Sequence, residues 1–300
     1  RGNYRLDEVP ETSAYLHHAD GNRLLTVGGR LNLDGVSYRD NRALGQRVAP
    51  QGTVEMRALA SAFNRMSGDL ESAAAQRRRL AADVAHELRT PVSVLRGHLE
   101  AMLDGIYPLD QAHVAVAYDQ ALHLGRLVED VRLLTQAEDR RLPLQRAACT
   151  PSALIAQAAA RFLPLAQDAG LSLTQSVEGE LPMVYADAAR IQQVLDNLLA
   201  NALRHTTPSG TIVLSARRQS DGVVFGVRNR GHLPPEQAAH VFDRFWRADE
   251  SRQRDTGGSG LGLPIARELV RLHEGELWVE AGDDETTFAF RLPDHDLRKD

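Results

Sequence analysis

The sequence holds a single cysteine, Cys149, among 300 residues. One thiol cannot make an intrachain disulfide or a multi-thiolate metal site, so the composition fits a reducing compartment and a fold held by its hydrophobic core. Cys149 itself reads as a small packed or interface residue. Long apolar runs are missing too. No segment approaches the roughly 18 consecutive apolar residues of a membrane helix, and the N-terminus lacks the order of a signal peptide. Nor is there an excess of basic charge. The formal net charge is -5, which gives no chain-wide field for nucleic acid, and none is expected as a partner. With 43% hydrophobic and 25% charged residues, the chain is ordinary in composition and long enough for two domains with proper cores.

Turn signals at Asp20-Gly21, Gly28-Gly29 and Asp34-Gly35 surround short runs, "RLLTV" and "RLNL", that read as small strands or an irregular cap. From Val54 to Thr90 the only glycine is Gly68 and proline is absent, while Ala, Leu, Arg and Glu dominate. That is a long helix by propensity. Leu59, Phe63, Met66, Leu70, Leu80, Val84, Leu88, Leu95, Leu99 and Met102 recur at steps of mostly three and four, an apolar stripe that needs a partner. The turn "LDGIYPLD" leads into a second helix, about 111–137, with Val114, Ala117, Ala121, Leu124, Leu127, Val131 and Leu134 on one face. Two antiparallel helices leave part of such stripes uncovered. The expectation is a homodimer with a four-helix bundle; the alternative is a hairpin docked on its own C-terminal domain.

Beyond the linker 139–150, helices are expected at about 151–168, 187–205, 235–247 and 261–273. Between them lie strand-like runs, "LSLTQSV", "GTIVLSARR", "VVFGVRN", "ELWVEAG" and "TTFAFRL". Such interleaving predicts an α/β sandwich with helices on one face of a sheet.

Three tracts carry chemistry. In "DVAHELRTPVSVLRG", Asp83 to Gly97, the residue four after His86 is Thr90, so the paired-histidine zinc helix H-E-x-x-H lacks its second ligand. His86 is then an ordinary surface imidazole, or it works with Glu87 beside it and Thr90 one turn along. In "TGGSGLGLPIARELV", Gly257, Gly258, Gly260 and Gly262 open into an amphipathic helix. Free N–H groups and a positive helix end make that a phosphate cradle. In "QQVLDNLLANALRHT", Asn197, Asn201 and Arg204 share one helix face while Leu195, Leu198, Leu199 and Ala202 face the core. Two neutral amide oxygens one turn apart suit a hard Mg²⁺ that borrows its other oxygens from a polyphosphate. A flexible loop and a solvated helix face are the plainer readings of the last two tracts.

Together these tracts resemble the bacterial sensor histidine kinases. "DVAHELRTP" is similar to their phosphoacceptor box, "DNLLANALRHT" to the asparagine box, "FDRFWR" (Phe242 to Arg247) to the phenylalanine box, and "GGSGLGLPIA" to the second glycine box. "ALGQRVAPQGTVEMRALASAFNRMSGDL" resembles the connector and second helix of a HAMP relay module. The resemblance implies an α-helical hairpin forming a dimeric four-helix bundle, followed by an α/β sandwich of the GHKL type. Its divisions are 1–42, of unknown function; 43–72, HAMP-like; 73–138, dimerisation and phosphotransfer; 139–150, linker; 151–294, ATP-binding; and 295–300, a tail.

The resemblance also implies the chemistry. His86 attacks the γ-phosphoryl of ATP with Glu87 as base or orienting group, and the phosphoryl passes to an aspartate of a response regulator receiver domain. Thr90 helps position water for dephosphorylation. Pro91 bends or loosens the helix. Asn197 and Asn201 hold Mg²⁺, Arg204 or His205 meets phosphate, and Gly258, Gly260, Leu261 and Gly262 form the ATP loop. Phe242 and Phe245 secure a lid. The localisation implied is cytoplasmic, or the cytoplasmic portion of an inner-membrane receptor anchored by a segment before residue 1.

One position departs from the pattern. The family's first glycine box reads Asp-x-Gly-x-Gly, its aspartate taking a hydrogen bond from adenine; here "VRNRGHLPPEQ" puts Asn229 there, keeps Gly231 and drops the second glycine. That motivates two rivals: a weak or phosphatase-biased pseudokinase scaffold, and another ATPase of the superfamily. The phosphoacceptor-like helix argues against the second.

Overall fold

In the computed structural model of the protein the described residues are 47–51, 53–219, 222–247 and 259–294, with three short strands near the N-terminus. Those strands, β1 (Arg5–Val9), β2 (Ser13–His17) and β3 (Arg23–Val27), form an antiparallel sheet in that order. The run "RLLTV" is β3, whereas "RLNL" and Gly258 lie outside the described residues. Just before the first helix, α1 (Val54–Leu103), the Val48 backbone exchanges two 2.8 Å hydrogen bonds with the Asn64 side chain, fastening the incoming chain to the helix flank.

The helix α1 continues through Pro91 without interruption. Proline has no N–H to give, so the Glu87 carbonyl loses its helical partner beside His86. Helix α2 (Gln111–Glu138) starts where the Asp110 carboxylate accepts the His113 N–H at 2.9 Å. His98 lies near His113, and Glu87 near enough to His123 to act on it electrostatically. Numbers fall along one helix as they rise along the other, the register of an antiparallel hairpin.

Five strands form the C-terminal sheet, in the order β5 (Ser172–Val177), β7 (Thr211–Gln219), β8 (Gly222–Arg230), β10 (Glu285–Pro293), β9 (Glu276–Ala281). Only β5 and β7 run parallel, because a helix crosses between them; the other pairs are antiparallel. Phe225 and Phe290, opposite each other in register, stack at 4.9 Å between centroids and are fully buried. Helices α3 (Pro151–Asp168), α4 (Ala188–His205) and α6 (Gly262–Leu272) cover the sheet. This is the expected helical hairpin followed by an α/β sandwich.

Two features differ from the sequence reading. The expected helix over 235–247 is helical only as α5 (Pro235–Ala238). Beyond it the bonds span three residues, as in His240 N–H to Gln237 and Asp243 N–H to His240, and Phe245 takes a left-handed φ of 58°. No α-helix contains such a residue. Inside the stretch 139–150, β4 (Ala147–Cys149) pairs antiparallel with β6 (Val184–Ala186). The Asp187 carboxylate caps α4 at Ala189 and Arg190 and also accepts the Gln145 N–H at 2.9 Å, tying that stretch to the first turn of α4.

The apolar stripes of the hairpin divide. Leu127 and Leu134 are buried in the same core cluster as Leu261 and Ile265, so this part of the hairpin docks on its own C-terminal domain. Leu99, Leu103 and Val114 remain 44%, 86% and 49% exposed.

Candidate functional site

Helix α4 is amphipathic in a way that fixes both its faces. Leu195, Leu198, Leu199 and Ala202 are buried. The opposite side turns Asn197, Asn201, Arg204 and His205 to a cavity of about 410 Å³, the size of a small-ligand site. The sheet contributes Asn229 and Thr286, and the glycine-rich segment contributes Ser259, Gly260 and Gly262. Asp196, off this face, binds Arg161 instead at 2.5 Å.

Charge in the cavity is mostly positive: Arg126, Arg204 and Arg247 line it beside one carboxylate, Asp130. Burial pushes the Arg204 guanidinium down from its usual range, and the nearby Arg247 adds to the shift. His205 is pushed down by burial first and Arg204 second, which favours the neutral imidazole. Cations crowded this way call for an anion. Helix α6 answers the same need, since among the described residues its N-cap, Leu261, has no side-chain cap and its positive start is open to an anion.

The loop before α6 is fixed by one close approach. Gly260 has a φ of 68°, and a Cβ there would stand 2.7 Å from the Phe245 Cα, so only glycine fits. Gly231 is required for a different reason: a Cβ would stand 2.6 Å from the His205 carbonyl oxygen. Asn229 on β8 is only 2% exposed.

Not every residue singled out from the sequence borders the cavity. Asn197, Asn201, Arg204, His205, Asn229, Gly231, Gly260 and Gly262 do. Leu261 is buried in the core behind it. Phe242 packs edge-on against Phe288 at 6.1 Å with the Arg267 guanidinium over its ring, and Phe245 packs against the same core. His86 and Thr90 stand exposed on α1 with Glu87 half-buried between them, apart from the cavity wall. Sequence reasoning missed the wall formed by α2, made of His123, Arg126, Leu127 and Asp130. Their helix was legible; its contact with residues more than a hundred positions away left no local signal. Trp246 and Arg247 also line the cavity, within the quoted aromatic box but not singled out there.

The donor set admits a divalent cation only in company. Among the described residues no group of three or more His, Cys, Asp or Glu side chains is placed to hold a metal. Among the described residues Asn197 Nδ2 is buried without a hydrogen-bond partner. Exchanging the two amide atoms puts an oxygen there, a hard ligand for a cation that brings its remaining oxygens with it. The residues therefore fit a Mg²⁺ carried on a polyphosphate.

Comparison with known proteins agrees with this geometry. Residues 76–140 match the His Kinase A (phospho-acceptor) domain, and residues 186–296 the histidine kinase-, DNA gyrase B- and HSP90-like ATPase family. The signal transduction histidine-protein kinase BaeS of Escherichia coli is 35% identical over 233 residues, 77% of this chain and 50% of that protein. The probable sensor histidine kinase TcrY of Mycobacterium tuberculosis is 37% identical over 251 residues, 80% of this chain and 52% of that protein. The chain thus spans about half the length of these curated relatives. Among solved structures, the Acinetobacter baumannii histidine kinase AdeS superposes with a TM-score of 0.61 at 25% identity, covering 70% of this chain and 98% of that one.

Proposed function

Since the chain belongs to the two-component sensor histidine kinases, we propose that it transfers the γ-phosphoryl group of ATP to His86 and then to an aspartate on the receiver domain of a response regulator. The single observation that carries this reading is the convergence of Asn197, Asn201, Arg204 and Gly260 on one cavity in a chain that also exposes His86. Neither half suffices alone. A histidine without a nucleotide site has no donor, and a nucleotide site without a histidine is one of many ATPases.

In the step proposed, a neutral ring nitrogen of His86 attacks the γ-phosphorus. A P–N bond forms as the bond from that phosphorus to the β–γ bridging oxygen breaks, ADP departs, and Glu87 takes the ring proton. Asn197 and Asn201 would hold Mg²⁺ through their amide oxygens; the bound cation neutralises charge on the phosphate oxygens. Arg204 adds a cation to the same end, and His205 adds one when it gains a proton. Asn229 accepts a hydrogen bond from the adenine amino group, and Phe242 and Phe245 anchor the segment that closes over the nucleotide. Since His86 does not border the cavity, the C-terminal domain has to move toward a phosphoacceptor helix before transfer.

The partner in the dimer is a second copy of the chain. Exposed Leu99, Leu103 and Val114 on the hairpin support a four-helix bundle across a two-fold axis. The connector fastened by Asn64 supports a HAMP-like relay into α1. Asn229 favours a second reading, in which the kinase is weak and Thr90, exposed four residues after His86, serves mainly in dephosphorylating the regulator.

The test is transfer. Chain labelled with γ-³²P ATP is mixed with purified receiver domains. Label that moves to one of them and becomes base-labile, as an acyl phosphate is, supports the kinase reading. Stable retention on the chain against every receiver domain argues against a role in phosphotransfer.

A further inference from the structure

The seam between α2 and α6 carries more than apolar packing. Where Leu127 and Leu134 are buried, the Asp130 carboxylate accepts a hydrogen bond from the Ser259 hydroxyl at 3.2 Å. The same Ser259 oxygen accepts the Leu261 N–H at 3.3 Å, at the N-cap of α6. Eight residues along α2 from Asp130, Glu138 pairs with Arg244. Asp130 therefore reaches the glycine loop itself, and it borders the same cavity as Asn197, Arg204 and Gly260.

A carboxylate in that place is costly. Burial pushes the Asp130 carboxyl up, and the Ser259 hydrogen bond and Arg126 offset this only in part. Its position makes sense as that of an anion. The uncapped start of α6 and the loop before it favour negative charge, and Asp130 supplies some from within the chain. A nucleotide polyphosphate seeks the same helix start and carries the same sign.

We infer that Asp130 is a tethered competitor of the nucleotide's phosphates, so that ATP binding displaces its carboxylate from Ser259 and loosens α2 from α6. The inference rests on the reading of this cavity as the ATP site. It links nucleotide binding to release of the C-terminal domain from the hairpin, the movement that transfer to His86 requires. Docking and nucleotide then oppose each other through one carboxylate, while the Glu138–Arg244 pair adds to docking from outside the cavity.

Calorimetric titration of the full chain with the non-hydrolysable ATP analogue AMP-PNP and Mg²⁺, and separately with adenosine, tests this. Asp130→Asn keeps the shape and removes the charge, and should tighten AMP-PNP binding about five- to tenfold, the size of one partly screened like-charge repulsion, while leaving adenosine affinity unchanged. Asp130→Ala should do the same, with circular dichroism confirming the fold. Unchanged or weaker AMP-PNP binding in both variants overturns the inference, as does an equal gain for adenosine. A parent chain that binds neither ligand overturns the ATP-site reading itself, and the inference falls with it.

Discussion

Phe245 and Gly260 fix each other: the Phe245 N–H donates to the Gly260 carbonyl at 3.0 Å, and both residues are left-handed, with φ of 58° and 68°. The contact joins the aromatic segment to the glycine loop. It makes the loop's shape a property of two distant stretches.

Gly260→Ala should therefore do two kinds of damage. A Cβ 2.7 Å from the Phe245 Cα cannot be accommodated without moving backbone, and the left-handed conformation alone costs about 1–3 kcal/mol. The C-terminal domain should melt lower by about 4 °C or more, and AMP-PNP affinity should fall at least about tenfold. Thermal melting and titration check both; an unchanged nucleotide affinity would mean that the loop does not bind phosphate.

The apolar stripes of the hairpin have two destinations, which separate in mutants. Leu134→Ala hollows a site that is 1% exposed and should destabilise the C-terminal domain by about 2–5 kcal/mol. Leu99→Glu, on the exposed part of the hairpin, should leave that domain's melting unchanged but shift the chain from dimer to monomer in light scattering. A Leu99→Glu protein that remains dimeric at micromolar concentration would place the interface elsewhere.

Asn229→Asp restores the charged acceptor that the family's motif carries. For ATP the gain should be about fivefold in Kd, the difference between a charge-assisted and a neutral hydrogen bond. GTP, whose carbonyl would meet the carboxylate, should gain nothing. The position is 2% exposed, so the new charge should lower the melting temperature of the free protein and ATP should recover it. Equal titration curves for the two proteins would show that Asn229 does not read adenine.

His205 gives binding a pH dependence of definite sign. Burial holds its imidazole below the ordinary value in the free protein, and a polyanion beside it raises that value. Binding then takes up a proton, and affinity rises as pH falls through the bound-state value, levelling once the pH is below the depressed free-state one. Titration in buffers of different ionisation enthalpy should register uptake in the parent and less in His205→Gln. Proton release on binding would contradict the placement of phosphate beside His205.

Much of this was legible because it is periodic or glycine-bound. The face shared by Asn197, Asn201 and Arg204 follows from a helical step, and α1, α2, α3, α4 and α6 follow from propensity and apolar spacing, whereas the caps Asp110 and Asp187 emerge only in the structure. The segment after Ala238 misled because its aromatic spacing is helix-like, while its path is set by Phe242 meeting Phe288 and Phe245 meeting Gly260. Asp130 was invisible as a site residue for a simpler reason. Its partner Ser259 is 129 positions away, and on its own helix it is one of several charged residues between apolar ones.

The central claim is that His86 carries the phosphoryl group, and the most direct measurement is the chemistry of the label on the chain. After incubation with γ-³²P ATP and Mg²⁺, the parent should hold label that acid removes and base does not, as a phosphoramidate requires. His86→Gln should hold none while binding AMP-PNP with unchanged affinity. Acid-labile label that persists on His86→Gln, or a parent that binds AMP-PNP yet never labels, would contradict the assignment.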